Sequence, residues 1–234
     1  MTERAGSQHE RGAGSATGFD GFPERALIFY EGLAADNSKP YWTDHKAVYE
    51  ECVLAPMLAL LAELEPEFGP GKLFRPYRDV RFSKDKTPYK TNAAVTVGDG
   101  HGAGHYLSLG ADGLFVGGGY HHTAPDQVER LRRAVADDVQ GPALERVLAG
   151  SRKAGFEPHG ERLTRLPKGY PADHPRADLL RYKSLTLHRQ WEPEPWLHTR
   201  EALTRIRKAW RALRPLHDWL DTNVGASDRP AERR

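Results

Sequence analysis

The sequence predicts an α+β fold: a mostly antiparallel sheet of four or more strands, packed by N-terminal and C-terminal helices. Three observations carry this. Apolar residues recur at helical spacing up to Leu64 and again from Trp196 onward. Between Leu73 and Val116 the apolar period shortens towards two, as in strands whose side chains alternate between faces. The segments joining those strands are too short for the crossovers that parallel pairing requires.

Residues 1–18 are rich in Gly, Ser, Ala and charge, have no apolar periodicity, and read as a disordered tail. Phe19 and Phe22 open a single α+β domain expected over 19–224, with a second disordered tail at 225–234. Ala26, Leu27, Phe29, Tyr30 and Leu33 place a helix over about 23–35, with Pro23 suited to its first turn. Asn37 or Ser38 can cap a second helix carrying Tyr41, Trp42, His45, Val48, Tyr49 and Cys52. Pro56 predicts a kink or break, after which Met57, Leu58, Leu60, Leu61 and Leu64 continue the apolar face. Four strands are expected within Leu73–Phe82, Thr91–Val97, Tyr106–Leu109 and Leu114–Val116, the last two joined by a hairpin at Gly110-Ala-Asp-Gly113. Helices follow over 125–139, with Thr123 as the N-cap, and over 142–154. A short helix near Leu179–Tyr182 and a strand at Ser184–Leu187 precede the last long helix. That helix, introduced by Pro193 and Pro195, carries Trp196, Leu203, Ile206, Trp210, Leu213 and Leu220, with Pro215 predicted to bend or interrupt it. Its many arginines read as a solvated face.

Composition narrows the function. Net charge is +2 with 28% charged residues, which excludes a global pull towards nucleic acid or membrane and makes any basic surface local. No apolar run approaches the roughly 20 residues needed to span a bilayer. The N-terminus has no apolar signal core, and the one cysteine, Cys52, excludes a disulfide framework, so a cytoplasmic setting is expected. There is no GxxxxGK[ST] loop, no GxSxG elbow and no GxGxxG opening a helix, so no cofactor is expected. His101, His105, His121, His122, His159, His174 and His188 lack ligand spacing, and no metal site is expected. Asp173-His174 could supply an acid or base if its segment folds over the sheet.

The richest stretch is residues 75–92. Six cations, Arg75, Arg78, Arg81, Lys84, Lys86 and Lys90, meet only Asp79 and Asp85, with Tyr77, Phe82 and Tyr89 among them. If residues 76–82 form a strand, Arg78, Val80 and Phe82 face the core and Arg78 needs an anionic partner there. Residues 83–90 then form a loop whose ammonium, guanidinium and hydroxyl donors suit a small anionic or phosphorylated ligand. The candidate ligand residues are Arg78 and Arg81 as a clamp, Lys84, Lys86 and Lys90 as charge, and Tyr89 and Asn92 to orient the ligand. The weaker alternative is a nucleic-acid or protein-interaction module on the same basic surface. A third reading ties the arginines into internal ion pairs with glutamates of the helices. None of the three assigns a reaction.

Arg78-Asp79-Val80-Arg81-Phe82-Ser83-Lys84-Asp85-Lys86-Thr87-Pro88-Tyr89-Lys90-Thr91 resembles the signature of the domain of unknown function (DUF) 2461 family. Asn37-Ser38-Lys39-Pro40-Tyr41-Trp42, Gly117-Gly118-Gly119-Tyr120, Pro167-Lys168-Gly169-Tyr170 and Lys183-Ser184 are similar to its other blocks, over about residues 19–223. Tyr41-Trp42 stands where the family has Trp and Phe, and Asn92 where it often has His. The resemblance implies a fold and a family. It implies no activity.

Overall fold

A computed structural model of the chain describes residues 18–81, 84–98 and 102–228. The N-terminal helices form where the periodicity places them. Helix α1 (Glu24–Ala35) follows Pro23 and buries Ala26, Leu27, Phe29, Tyr30 and Leu33. Helix α2 (Lys39–Val48) is capped by Ser38, whose Oγ accepts from Tyr41 N at 3.3 Å. The break expected at Pro56 takes another form. Tyr49–Leu54 is a π-helical segment, and α3 (Ala55–Phe68) begins directly after it. A proline cannot bond the carbonyl one turn back and its ring crowds that carbonyl. A wider turn just upstream relieves both problems and keeps the rod continuous.

Among the described residues the strands are six: β1 (Gly71–Leu73), β2 (Asn92–Val97), β3 (Gly104–Gly110), β4 (Gly113–Tyr120), β5 (Glu157–His159) and β6 (Leu185–Trp191). They lie in the order β1-β2-β3-β4-β6-β5, and every neighbouring pair is antiparallel. The hairpin expected at 110–113 joins β3 to β4, with Gly113 at φ +93°. The strand expected over Leu73–Phe82 stops at Leu73. β5 has no signature in the sequence: three residues with a central proline, paired only at the sheet edge.

Helix α4 (Pro125–Ala136) is capped at Ala124, not Thr123, with Gln127 Oε1 accepting from Ala124 N at 2.9 Å. Thr123 Oγ1 instead donates to Lys183 O. Helices α5 (Gln140–Lys153), α6 (Ala177–Leu180) and α7 (Glu201–Asn223) follow; Trp196, expected in the last helix, lies in a separate 3-10 turn (Pro195–His198) before it, and α7 runs through Pro215 without interruption. Residues 225–228, expected in a disordered tail, are bound to α4: Gln127 Nε2 donates to Gly225 O at 2.8 Å and Ser227 Oγ to Asp126 Oδ1 at 2.8 Å. The arginines of α7 are not simply solvated. Arg200 and Arg211 pair with Glu63 and Glu67 of α3 at 2.6 and 2.5 Å.

Register sorts the sheet into two unlike faces. Val95, Leu107, Val116 and Leu187 lie on one face and join a single core with Leu33, Leu60, Leu144 and Trp210 of the helices. Ala94, Tyr106, Ser108, Phe115, Gly117 and His188 lie on the other, and none belongs to that core. Among the described residues no helix is long and apolar enough to cross a membrane.

Candidate functional site

The basic stretch leaves the sheet edge at β1 and returns to it at β2. Pro76 and Pro88 shape its neck. Neither can donate, but their carbonyls accept from Lys90 N at 2.7 Å and Arg78 N at 2.9 Å. Between them Tyr77 and Tyr89 make one antiparallel bridge and no longer ladder. Tyr89 is only 5% exposed, and its ring stacks on Trp42 at 4.5 Å and 8°. Asn37 fixes it from the other side: its Nδ2 donates to Tyr89 O and its Oδ1 accepts from Tyr89 N, both at 3.0 Å. An amide side chain thus replaces a missing neighbouring strand. Burial, with Tyr77 alongside, pushes the Tyr89 hydroxyl up.

Residues 74–81 form no strand, which corrects the expectation that Arg78 and Val80 face the core. Phe82 and Ser83 lie outside the described residues. Arg78 is half-buried and pairs with Asp85 of the same loop. Asp85 also accepts from Thr87 N at 2.9 Å and Thr87 Oγ1 at 2.7 Å, which hold its carboxyl below its ordinary range. Arg81 grips Asp79 with Nε at 3.0 Å and Nη2 at 2.7 Å. Those side-chain bonds pull the Asp79 carboxyl down to about 2. Both arginines of the expected clamp therefore already bind carboxylates, those of their own loop and not glutamates of the helices.

The lysines differ. Lys86 Nζ donates to Val80 O at 2.9 Å, and Lys84 is exposed. Lys90 Nζ lies 5.1 Å from the centre of the Phe74 ring and forms no ion pair among the described residues. Burial first, then Arg75 and Arg78, push its ammonium down. Asn92 opens β2 opposite Gly110, on the face away from the core. Arg75 and Arg78 thus both act on the Lys90 ammonium, and Tyr89 is buried scaffold.

The histidines divide by face. His121, His159 and His188 gather at the β4–β6–β5 edge, where His159 and His188 stack at 4.5 Å. His121 and His122 follow β4, with rings 4.3 Å apart. His105 and His217 meet at 4.6 Å beneath α7. His101 lies outside the described residues. Among the described residues no three His, Cys, Asp or Glu side chains are grouped to hold a metal. His174 serves a turn, its Nδ1 accepting from Arg176 N at 3.0 Å. Cys52 is buried, and burial pushes its thiol up, which leaves less thiolate for nucleophilic chemistry.

The aromatic residues of the open face, Tyr106 and Phe115, were not among the sequence-derived candidates. The available signal was their alternation with Leu107, Leu109, Leu114 and Val116, which assigns them to the face opposite the core.

No curated protein matches the chain by sequence. Residues 25–219 match the family of conserved hypothetical proteins described as DUF2461, and the chain belongs to that family.

Proposed function

We propose that the chain binds a small anionic or phosphorylated ligand at the 78–92 loop, on the side where Arg75, Arg78 and Lys90 meet. The observation behind this reading is the Lys90 ammonium: partly desolvated, beside two guanidinium groups, and closed by no carboxylate among the described residues. Like charges held together in a partly dry place repel, and an anion among them relieves that repulsion. Lys90 and Arg75 supply direct charge. Arg78 is shared between Asp85 and the ligand. Lys84, Lys86 and Arg81 add field from the loop tip, and the Arg81–Asp79 pair is exposed enough to exchange partners at little cost. Tyr89 holds the neck, and Asn92 faces the ligand's far side. The reading assigns no reaction.

A ligand that binds only the folded state raises its melting temperature with concentration. Titration of the wild type with inorganic phosphate, pyrophosphate and nucleoside 5′-phosphates is expected to give such a rise for the multiply charged anions. Lys90→Gln combined with Arg75→Gln is expected to abolish the rise and leave the unliganded protein as stable or slightly more stable, because repulsion has gone. An equal rise in the double variant, or none in the wild type, defeats the proposal.

A further inference from the structure

We infer that the open face of the sheet is a stacking surface for single-stranded nucleic acid, running from the Arg75–Lys90 corner across Tyr106 and Phe115 to His188. The inference rests on the anion reading above, since backbone phosphate is the anion it places at that corner.

The first support is a continuous ridge of rings. Tyr106 and Phe115 lie edge to face at 5.8 Å, Phe115 and His188 at 4.9 Å, and His188 and His159 stack at 4.5 Å. Register places these side chains on one face: Tyr106 opposite Gly117, Gly117 opposite His188, and Phe115 opposite Ser108. The residues between them are small. A Cβ on Gly117 would stand 2.8 Å from Leu187 O and 2.9 Å from His188 Cδ2, so the glycine leaves room for that imidazole. Tyr106, Phe115 and His188 are half-buried, and none of the three belongs to the core that the helices share with the other face. Burial, then His159 and His121, push His188 down to about 4, so near neutral pH the ring is uncharged and offers its face.

The second support is charge and hydrogen-bonding capacity. Lys72 sits opposite Thr96 on this face at the β1 edge, and Phe74, under the Lys90 ammonium, bonds Ala94 O at 2.9 Å to extend the same row. The cationic group therefore flanks one end of the ridge. Glu157, opposite His188, is the carboxylate at the other end. A polyanion is thus drawn to the β1 end and its bases to the rings, which is how sequence-tolerant single-strand sites combine charge with stacking.

Geometry selects the occupant. Phe74 beside β1 and Phe115 on β4 lie three strands apart, about 14 Å at the usual strand spacing. One nucleotide cannot set its phosphate at one and its base on the other, whereas a short strand can. A duplex hides its base faces and cannot use the rings.

The test is fluorescence anisotropy with labelled single strands of about ten nucleotides, both oligothymidylate and oligouridylate, against the same strands in duplex. Inorganic phosphate binding is measured in parallel. The wild type is expected to prefer single strands and to weaken with added salt. Phe115→Ala and Tyr106→Ala are each expected to lose about tenfold in single-strand affinity while keeping their response to phosphate. Should Phe115→Ala fold poorly, Phe115→Leu keeps apolar area without a stacking ring and must show the same loss. Three results overturn the inference and leave the phosphate site standing: phosphate binding with no single-strand binding, equal binding of duplex, or full affinity in the ring variants. Self-association that Phe115→Ala abolishes, without oligonucleotide binding, also overturns it by assigning the face to a second copy of the chain. Failure with both phosphate and oligonucleotide removes the anion reading as well.

Discussion

Arg176 shows how one side chain can close a helix. It is 7% exposed, a place where a guanidinium survives only with partners. Its Nε donates to Val135 O at 2.6 Å, and its Nη2 to Ala136 O at 3.2 Å and Asp137 O at 3.1 Å. These carbonyls lie at the C-terminal end of α4, where the helix leaves acceptors unsatisfied and its dipole is negative. Asp138 and Glu145 add longer ion pairs at 3.7 and 3.9 Å. Gly141 makes room: a Cβ there would stand 2.3 Å from Arg176 Nε. Arg176→Met removes every one of these donors and leaves the carbonyls dry, so it is expected to cost about 3 kcal/mol in urea unfolding. A variant as stable as the wild type would show that the carbonyls find water instead. Asn37 plays a similar part for the loop neck. Asn37→Ala leaves both backbone groups of Tyr89 without their partner, with an expected cost of about 1–2 kcal/mol. It is also expected to speed amide exchange at Tyr89 itself, a local change that a general loss of stability does not produce.

At the scale of elements, the contrast lies between what repeats and what does not. The helices were legible because their apolar residues recur along one face: α1 and α7 carry the buried sets that spacing predicts, and α3 buries Met57, Leu60, Leu61 and Leu64 but leaves Leu58 exposed. The β3–β4 hairpin was legible from its glycines. The loop at 74–91 was not, because its conformation is decided by residues far away in sequence, Asn37 and Trp42, and by two facing prolines that limit pairing to one bridge. Alternation in the sequence cannot distinguish that loop from a strand, so Arg78 was assigned a core partner where the fold gives it Asp85. The candidate residues are therefore unlike in space: Arg78 and Arg81 bind carboxylates of their own loop, Lys90 pairs with none among the described residues, and Tyr89 is buried scaffold. The arginines of α7 mislead in the same way, since spacing shows their face but not α3 beside it. Arg211 binds Glu67 at 2.5 and 2.8 Å, and Arg207 approaches the same carboxylate at 3.5 Å. These pairs lie at the surface with side chains 26–56% exposed, so Glu67→Gln is expected to cost about 1 kcal/mol and to cost less as salt is added. A loss of several kcal/mol in thermal unfolding would mean that the ladder, not the apolar seam, fixes α7 to α3.

For the molecule as a whole, acid sensitivity follows the histidines that folding shields from water, two of which meet on the helix-covered face. His105 on β3 and His217 on α7 meet with Trp210 between the sheet and that helix. His217 Nε2 is buried without a hydrogen bond and stands 2.8 Å from where a Cβ of Gly118 would be. Burial pushes His217 down to about 4, against Asp221 and Asp218, which favour its charged form. Burial, then His217, push His105 down to about 4 as well, with Arg214 acting in the same direction. The unfolded chain titrates its histidines near the ordinary value of about 6.5. As pH falls below that value the unfolded state binds protons that the folded state refuses, so stability falls with pH. The loss begins below about pH 6.5 and is complete near the folded values, with an upper bound of roughly 3 kcal/mol for each buried histidine. Carboxylates whose pKa values are lowered, such as Glu67 and Asp137, add to the loss only in more acid solution, where unfolded carboxylates begin to protonate. The two contributions therefore separate along the pH axis. Urea unfolding of the wild type is expected to be nearly flat above neutrality and to weaken steadily from pH 6.5 to about 4.5. His217→Leu fills the same space without a proton site, so it is expected to lessen the slope of that part of the curve, His105 and His188 keeping the remainder, and to leave the steeper acid fall. An unchanged slope in His217→Leu would place the titrating group elsewhere, with His188 on the open face as the next to replace, since it too is pushed down to about 4.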